Sequence, residues 1–213
     1  MTKALFFDLD GTLIDSAPDL ADAVNFMLKQ LGKRGYNLAT IRSWIGGGAT
    51  LLIQRALSGK KEPKNIEEQL LNKAKEHFFA YYEKNLCNKT KAYPNAKETL
   101  QTLKKRYPLA LITNKPERFI KPILKHLELD FFDLIIGGDT LPEKKPSPLP
   151  LLHACNHFGI GAKETMMVGD SYNDIEAAKR AGIVSVLVTY GYESQKLDSH
   201  YIINNLNELL ELV

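Results

Sequence analysis

Short apolar runs, each separated from the next by a longer helix-patterned stretch, are the feature that most constrains the fold of this chain. Apolar runs with little polar alternation are typical of strands that are covered on both faces, and such strands form parallel sheets. The intervening stretches carry apolar residues three and four positions apart, which predicts helices between the strands. Strands are predicted at 4–8, 109–113, 134–137, 166–169, 184–188 and 201–203. Helices are predicted at 96–105, 116–127, 148–158, 173–181 and 205–212.

Residues 15–92 break this alternation, because they show helix patterns and no convincing strand. Ser16 and Asp19 have the spacing of a capping box at the start of a helix, and Gly32 is a suitable residue to end that helix. Asp15 and Asp19 are interpreted as capping or surface acids. Further helices in this segment are predicted at 42–45, 49–57 and 66–86.

The predicted fold class is therefore α/β. With 213 residues and 44% hydrophobic content, the chain has enough apolar material for a stable core. We predict a Rossmann-like parallel sheet core with helices on both faces, formed by residues 1–14 and 93–213. Residues 15–92 are predicted to form an inserted all-helical domain.

Charge and composition restrict the partners of the protein. The formal net charge of +3 is too small for the basic footprint of a nucleic-acid-binding protein. No signal peptide is visible, and no apolar stretch approaches the roughly 20 residues that span a bilayer, so neither nucleic acid nor a membrane is expected as a partner. Cys87 and Cys155 lack CxxC spacing, and free thiols fit a reducing cytosol. A cytoplasmic protein is expected, either a monomer or a homodimer.

Acidic and basic side chains collect at the carboxyl ends of the predicted strands, where sites in parallel α/β sheets are found. Neighbouring carboxylates destabilise each other unless a cation or a proton neutralises them. Oxygen ligands suit Mg²⁺, and lysine and hydroxyl groups suit a phosphoryl group, so the combination points to phosphoryl transfer. These residues are Asp8, Asp10, Thr113, Asn114, Lys115, Lys145, Asp170 and Asp174.

Four short motifs at these positions resemble those of the haloacid dehalogenase superfamily. Asp8-Leu-Asp10-Gly-Thr12 resembles the first motif, and Thr113 and Lys145 resemble the second and third. The stretch from Gly169 to Asp174 resembles the fourth. The resemblance covers the whole chain, and the helical insert between the first and second motifs has the position of the family's C1 cap, which selects the substrate.

The resemblance implies a phosphatase mechanism. Asp8 would be the nucleophile that forms an aspartyl-phosphate, and Asp10 would protonate the leaving oxygen and then activate water. Thr113 and the backbone N–H of Asn114 would bind the phosphoryl oxygens. Lys145 would neutralise the charge that builds up on the phosphoryl group.

The resemblance also implies a magnesium ion. Mg²⁺ would be held by the Asp8 side chain, the backbone carbonyl of Asp10 and the Asp170 side chain. Asp174 would act through a water molecule or orient Lys145, with a helix N-terminal acid as the alternative. Gly11 would permit the tight turn after the first strand.

A glycine-rich loop in the insert resembles the cap loop of bacterial phosphoglycolate phosphatases. In those proteins a Trp, a Gly-rich turn and an Arg-Ala-Leu run recur, and here they are Trp44, Gly46 to Gly48, and the run that starts at Arg55. Gly46, Gly47 and Gly48 would offer N–H groups to an anion, or form only a flexible turn between helices. Gly47 departs from the pattern, in which Asn is expected.

The substrate implied by this loop is a small phosphorylated metabolite, 2-phosphoglycolate. Arg42 and Arg55 are candidate contacts for its carboxylate, with a surface or structural ion pair as the alternative for each. Other substrates left open are pyrophosphate, a sugar phosphate such as N-acetylmuramate 6-phosphate, and a nucleotide monophosphate.

Two other functions share this core. The family's phosphomutases usually carry Glu-Asp in the fourth motif, where this chain has Gly169-Asp170. A non-catalytic binding protein would be expected to have lost a motif residue, and none is lost. Both are therefore weaker alternatives to a phosphatase.

Overall fold

The fold of this protein is given by a computed structural model that describes residues 2–63, 65–193 and 197–213. Its strands are β1 (Ala4–Phe7), β2 (Ile14–Asp15), β3 (Lys91–Ala92), β4 (Leu109–Ile112), β5 (Leu134–Ile136), β6 (Thr165–Gly169), β7 (Val184–Val188) and β8 (Tyr201–Ile203). Six of them form one parallel sheet in the order β5-β4-β1-β6-β7-β8. The six strands predicted for the core are thus confirmed, with ends that differ by one residue at most.

The α-helices flank the sheet or lie in the insert. They are α1 (Ala17–Gln30), α2 (Leu38–Arg42), α3 (Ala49–Ser58), α4 (Glu68–Lys84), α5 (Ala96–Lys104), α6 (Ile120–His126), α7 (Leu149–Phe158) and α8 (Tyr172–Ala181). Helices α1 to α4 pack on one another and form the helical insert. None of the helices in the described ranges is long and apolar enough to cross a membrane.

Alternating side chains of the central strand β1 explain why both faces of the sheet are covered. Leu5 and Phe7 belong to a large core that continues into the helical insert. Ala4 and Phe6 point to the other face and pack in a second core with residues of α7 and α8. All four are fully buried, which accounts for an apolar run without polar alternation.

A two-stranded antiparallel pair joins the helical insert to the sheet. Ile14 pairs with Ala92, and Asp15 pairs with Lys91, so β2 and β3 bracket the insert. The expectation that residues 15–92 contain no strand was wrong at these two ends. Two residues per strand are too few to show the alternation by which a strand is recognised in a sequence.

The capping box predicted at the start of α1 was also wrong. The Ser16 hydroxyl makes no cap and donates instead to Asp10 Oδ1 at 2.5 Å. Asp19 is buried, and its carboxylate accepts hydrogen bonds from the N–H groups of Lys89 and Thr90 and from the Thr90 hydroxyl. Asp19 is therefore not a capping or surface acid, because partners distant in the sequence hold it.

Two helical segments also differ from expectation. The helix predicted at 42–45 lies one turn earlier, as α2, because the Asn37 side chain accepts from Thr40 N and starts the helix there. The last predicted helix is a 3₁₀ helix, Leu206–Glu211, in which Leu206 and Leu209 are both buried. Residues three positions apart lie above one another in a 3₁₀ helix, which suits this spacing.

The buried carboxylate of Asp19 generates a stability prediction. Asp19→Ala should lower the free energy of unfolding by about 3 kcal/mol, because it leaves the buried N–H and hydroxyl groups of Thr90 without an acceptor. Asp22→Ala is the matched control, since Asp22 pairs with Lys89 at the exposed surface, and it should cost less than about 1 kcal/mol. Urea unfolding of both variants tests the difference, and equal losses would contradict it.

Candidate active site

Three carboxylates form a buried cluster at the carboxyl ends of two neighbouring strands. Asp8 follows β1, Asp170 follows β6, and Asp174 lies in the first turn of α8. Because β1 and β6 are adjacent in the sheet, their ends meet at one point. Oxygen atoms of the three side chains lie within 4.8 Å of one another, and all three residues are buried.

Lys145 is the cation that holds this cluster. Its Nζ donates to Asp8 Oδ1 at 2.9 Å, to Asp174 Oδ1 at 2.6 Å and to the carbonyl oxygen of Ile112 at 2.5 Å. Burial opposes the charge on this ammonium group, but Asp174 and Asp8 outweigh that effect and raise the pKa of Lys145. Lys145 is therefore a permanently charged group with all three N–H donors occupied.

The cluster carries more negative charge than Lys145 neutralises. Burial raises the pKa of Asp8 from 3.8 to about 6, with Lys145 opposing the rise and Asp174 adding to it. Burial, together with the charges of Asp174 and Asp8, raises the pKa of Asp170 well above its ordinary value. Close carboxylates of this kind fit a hard divalent cation, which would restore their ionised forms. The donor set of Asp8 and Asp170 therefore fits a metal ion.

The turn after β1 brings Gly11 against Asp170. Gly11 has a φ of +92°, and a Cβ atom there would lie 2.3 Å from Asp170 Oδ2. Both the backbone angle and the close approach require glycine. The Asp170 carboxylate accepts hydrogen bonds from the Thr12 hydroxyl at 3.3 Å and from Tyr192 N at 2.7 Å, so its orientation is defined.

Asp10 lies beside the cluster with its own partners. Its carboxylate accepts from the Ser16 hydroxyl at 2.5 Å and from Lys115 Nζ, which is 3.0 Å from Oδ1 and 3.2 Å from Oδ2. The Lys115 side chain is 3% exposed, so this ion pair is buried on the lysine side. Two carboxylates two residues apart are thus held by two different lysines.

The glycine-rich loop of the insert contacts the same edge of the sheet through its carbonyl groups. The carbonyl of Gly46 accepts from Asn114 Nδ2 at 3.0 Å, and that of Gly47 accepts from Lys144 Nζ at 2.8 Å. Gly48 has a φ of +86°, and a Cβ atom there would lie 2.8 Å from the Asn114 carbonyl oxygen. The loop is therefore a defined docking segment between the insert and the core.

This loop closes a small cavity over the acidic residues. The cavity has a volume of about 40 Å³ and is lined by Asp8, Asp10 and Thr113 on the sheet side. Apolar side chains of the insert, including Leu52 and Phe78, form the opposite wall. The carboxylates of Asp8 and Asp10 and the hydroxyl of Thr113 thus share a small space that has an apolar wall.

Comparison with known proteins identifies the family. Residues 2–182 match the model of the haloacid dehalogenase-like hydrolases. The chain belongs to the haloacid dehalogenase-like hydrolase family. Phosphoglycolate phosphatases of Nitrosospira multiformis and Colwellia psychrerythraea are 45% and 47% identical to it, over 99% and 98% of this chain and 95% of each relative. A crystal structure from Haemophilus somnus 129pt, described as a predicted phosphoglycolate phosphatase, superposes with a TM-score of 0.91 at 39% identity, covering 99% of this chain and 97% of the other. These relatives support the predicted phosphatase class.

The motif residues predicted from the sequence meet at one site in this hydrolase. Thr113 is buried and lines the small cavity, and the side-chain amide of Asn114 donates to the carbonyl of Lys145 at 3.0 Å. Asp174 accepts from Lys145 Nζ at 2.6 Å and also from Ser171 N at 3.0 Å at the start of α8. Its carboxylate therefore fixes the lysine relative to the helix.

The two predicted arginine contacts lie elsewhere. Arg42 pairs with Asp15 at 2.9 Å, which is the structural ion pair left open as its alternative. Arg55 donates to the carbonyl oxygens of Trp44 and Lys61 at 2.6 and 2.7 Å. Both arginines line a second cavity of about 310 Å³, which Asp170 and the glycine-rich loop also line. The structure does not bring either one to the cavity of Asp8 and Asp10.

Sequence reasoning noted Lys115 at the end of a strand without giving it a role of its own, and it did not single out Tyr82, although both line the small cavity. Lys115 follows Thr113 and Asn114 directly at the end of β4, so its place after a strand was a usable signal. Tyr82 lies on α4 in an ordinary apolar helix pattern, and nothing in the sequence relates it to β4.

The raised pKa of Asp8 predicts a pH-dependent stability difference. The folded metal-free protein binds the Asp8 proton more tightly than the unfolded chain, so its stability falls as pH rises from the ordinary pKa of 3.8 through about 6. The wild-type protein should therefore lose about 2–3 kcal/mol of its free energy of unfolding between about pH 4 and pH 7, and Asp8→Asn should not show this loss. Urea unfolding with a chelator present measures this, and a difference that is constant with pH would contradict it.

Proposed function

We propose that this hydrolase is a Mg²⁺-dependent phosphomonoesterase that works through an aspartyl-phosphate on Asp8. The observation that carries the proposal is the buried arrangement in which Lys145 bridges Asp8 and Asp174 beside Asp170. A nucleophilic carboxylate, a fixed cation and a donor set for a metal are the elements that phosphoryl transfer needs. The curated phosphatases that resemble the chain support the same chemistry.

In the proposed first step, an oxygen of Asp8 attacks phosphorus and the bond from phosphorus to the ester oxygen breaks. Asp10 gives its proton to that oxygen, which leaves as an alcohol. In the second step, Asp10 takes a proton from water, and the resulting hydroxide attacks the phosphorus of the aspartyl-phosphate, which releases phosphate and regenerates Asp8. Thr113 donates a hydrogen bond to the phosphoryl oxygens, and the positive charge of Lys145 offsets their negative charge during both steps.

The residues that would hold Mg²⁺ are the side chains of Asp8 and Asp170 and the backbone carbonyl of Asp10. Bound there, the ion would neutralise the carboxylates and the phosphoryl oxygens. Asp174 serves as a positioning residue in this proposal, since Lys145 and Ser171 already occupy both of its oxygens.

We propose 2-phosphoglycolate as the substrate, hydrolysed to glycolate and phosphate. The observation that supports it is that relatives of 43–48% identity over most of the chain bear the name phosphoglycolate phosphatase.

The organisation predicted for the chain belongs to the same proposal. Residues 15–92 form a cap domain that covers the site, and residues 1–14 and 93–213 form the catalytic core. The docking of Gly46 and Gly47 on core residues and the bracketing β2–β3 pair support these boundaries. A cytoplasmic location fits a small metabolite as substrate and the free state of both cysteines.

A substrate panel tests this function. The purified protein with Mg²⁺ should show its highest kcat/KM on 2-phosphoglycolate among esters that include N-acetylmuramate 6-phosphate, a nucleotide monophosphate and pyrophosphate. A chelator should abolish turnover, and added Mg²⁺ should restore it. A much higher kcat/KM on another ester would contradict the substrate, while leaving the mechanism in place.

The nucleophile is tested by substitution. Asp8→Asn should lower kcat more than about 10³-fold, because an amide cannot form the aspartyl-phosphate. Asp22→Asn, an exchange of an exposed carboxylate that does not line the cavity, is the matched control and should keep wild-type kcat. Full activity in Asp8→Asn would contradict the mechanism.

A further inference from the structure

The small cavity has one cationic side chain among its described lining residues, that of Lys115. Its Nζ is 3.0 Å from Asp10 Oδ1, and Asp10 is the only acceptor it has in the part of the chain that the structure describes. An ammonium group carries three N–H donors. Lys115 therefore keeps donor capacity for a ligand in the cavity, whereas the donors of Lys145 are occupied.

Tyr82 supplies a second observation at the same place. Tyr82 is only 1% exposed, and its buried hydroxyl has no hydrogen-bond partner among the described residues. The Tyr82 ring lines the cavity, and its centroid is 5.1 Å from Lys115 Nζ. A buried hydroxyl without a partner costs free energy, which a ligand that accepts its hydrogen bond would recover.

We propose that Lys115 and Tyr82 bind the carboxylate of the substrate, the anionic group that is not transferred. This inference rests on the proposed function, in which Asp8 takes the phosphoryl group and Asp10 protonates the ester oxygen. Since Lys115 contacts Asp10, it lies at the leaving-group end of the cavity. The carboxylate of 2-phosphoglycolate is one methylene group away from the ester oxygen, so it reaches the same end.

Charge balance supports this assignment. A substrate carboxylate brings a further negative charge next to Asp8 and Asp10, in a space with apolar walls. A buried charge is tolerated only with a counter-ion and hydrogen-bond donors. Lys115 provides the counter-ion and Tyr82 provides an additional neutral donor. Such a pair selects esters that carry a short carboxylate and disfavours neutral alcohols of the same size.

The arginines of the insert are poorer candidates for this role. Arg42 is paired with Asp15, and Arg55 is bound to two backbone carbonyls. Both line the cavity of about 310 Å³ and neither lines the one that contains Asp8.

The test compares two esters that differ only at the group in question. In 2-hydroxyethyl phosphate, a hydroxymethyl group replaces the carboxylate of 2-phosphoglycolate. The ratio of the two kcat/KM values measures recognition of the carboxylate, because any effect of a variant on Asp10 applies to both esters. Lys115→Met should lower this ratio roughly 10- to 100-fold, the range expected for a lost charge-assisted hydrogen bond.

Tyr82→Phe keeps the test valid if Lys115→Met fails to fold. It removes a hydroxyl that has no protein partner, so stability should be unchanged or higher. The ratio should nevertheless fall about 3- to 10-fold, as for a lost neutral hydrogen bond. Arg42→Met is the matched control, and it should keep the wild-type ratio.

Binding gives a second measurement that does not depend on turnover. In 3-phosphonopropionate a methylene group replaces the ester oxygen of 2-phosphoglycolate, so this compound cannot be hydrolysed. Calorimetry with Mg²⁺ present should show weaker binding of this compound to Lys115→Met and Tyr82→Phe than to wild type. Its hydroxymethyl counterpart, 3-hydroxypropylphosphonate, should bind all three proteins with similar affinity.

The outcomes separate the two proposals. If wild type prefers 2-phosphoglycolate and both Lys115→Met and Tyr82→Phe keep the wild-type ratio, the carboxylate site is wrong and the proposed function stands. Loss of the preference in Arg42→Met alone would likewise overturn the assignment to Lys115. If wild type fails to hydrolyse 2-phosphoglycolate, the proposed substrate and the inference fail together.

Discussion

The ion pairs of Lys145 with Asp8 and Asp174 allow three acids to share one buried cluster with Asp170. Without that ammonium group, the mutual repulsion and desolvation of the carboxylates would favour their neutral forms. With it, negative charge still exceeds positive charge, and the pKa values of Asp8 and Asp170 remain raised. This excess of negative charge favours the binding of a cation beside the carboxylates.

The order of strands in the sheet makes this cluster possible. Because β1 lies between β4 and β6, the residues that follow these three strands meet, although long helical segments separate them in the sequence. The close approach of Gly11 to Asp170 shows how little room is left at this junction. For the same reason Thr113 and Lys115, which follow β4, line one cavity with the two acids that follow β1.

Features that depend on a local residue pattern could be predicted from the sequence. Buried strands appear as apolar runs, and acids at their ends stand out because they interrupt such runs. Features that depend on partners distant in the sequence were not accessible in this way. Ser16 and Asp19 fit the local capping pattern, yet Asp10 and Thr90 hold them instead. Tyr82 looked like an ordinary core residue, since its unpartnered hydroxyl is visible only in three dimensions.

The β2–β3 pair has a mechanical consequence. The helical insert is joined to the sheet by two chain crossings that run side by side, and Asp19 fastens the first helix to Thr90 at that end. At the opposite end, contact with the core includes single hydrogen bonds from Asn114 and Lys144 to loop carbonyls, which water can replace. The helical insert is therefore tied to the core by paired strands and the buried Asp19 carboxylate near its two chain crossings, and by hydrogen bonds to the carbonyl groups of its glycine-rich loop.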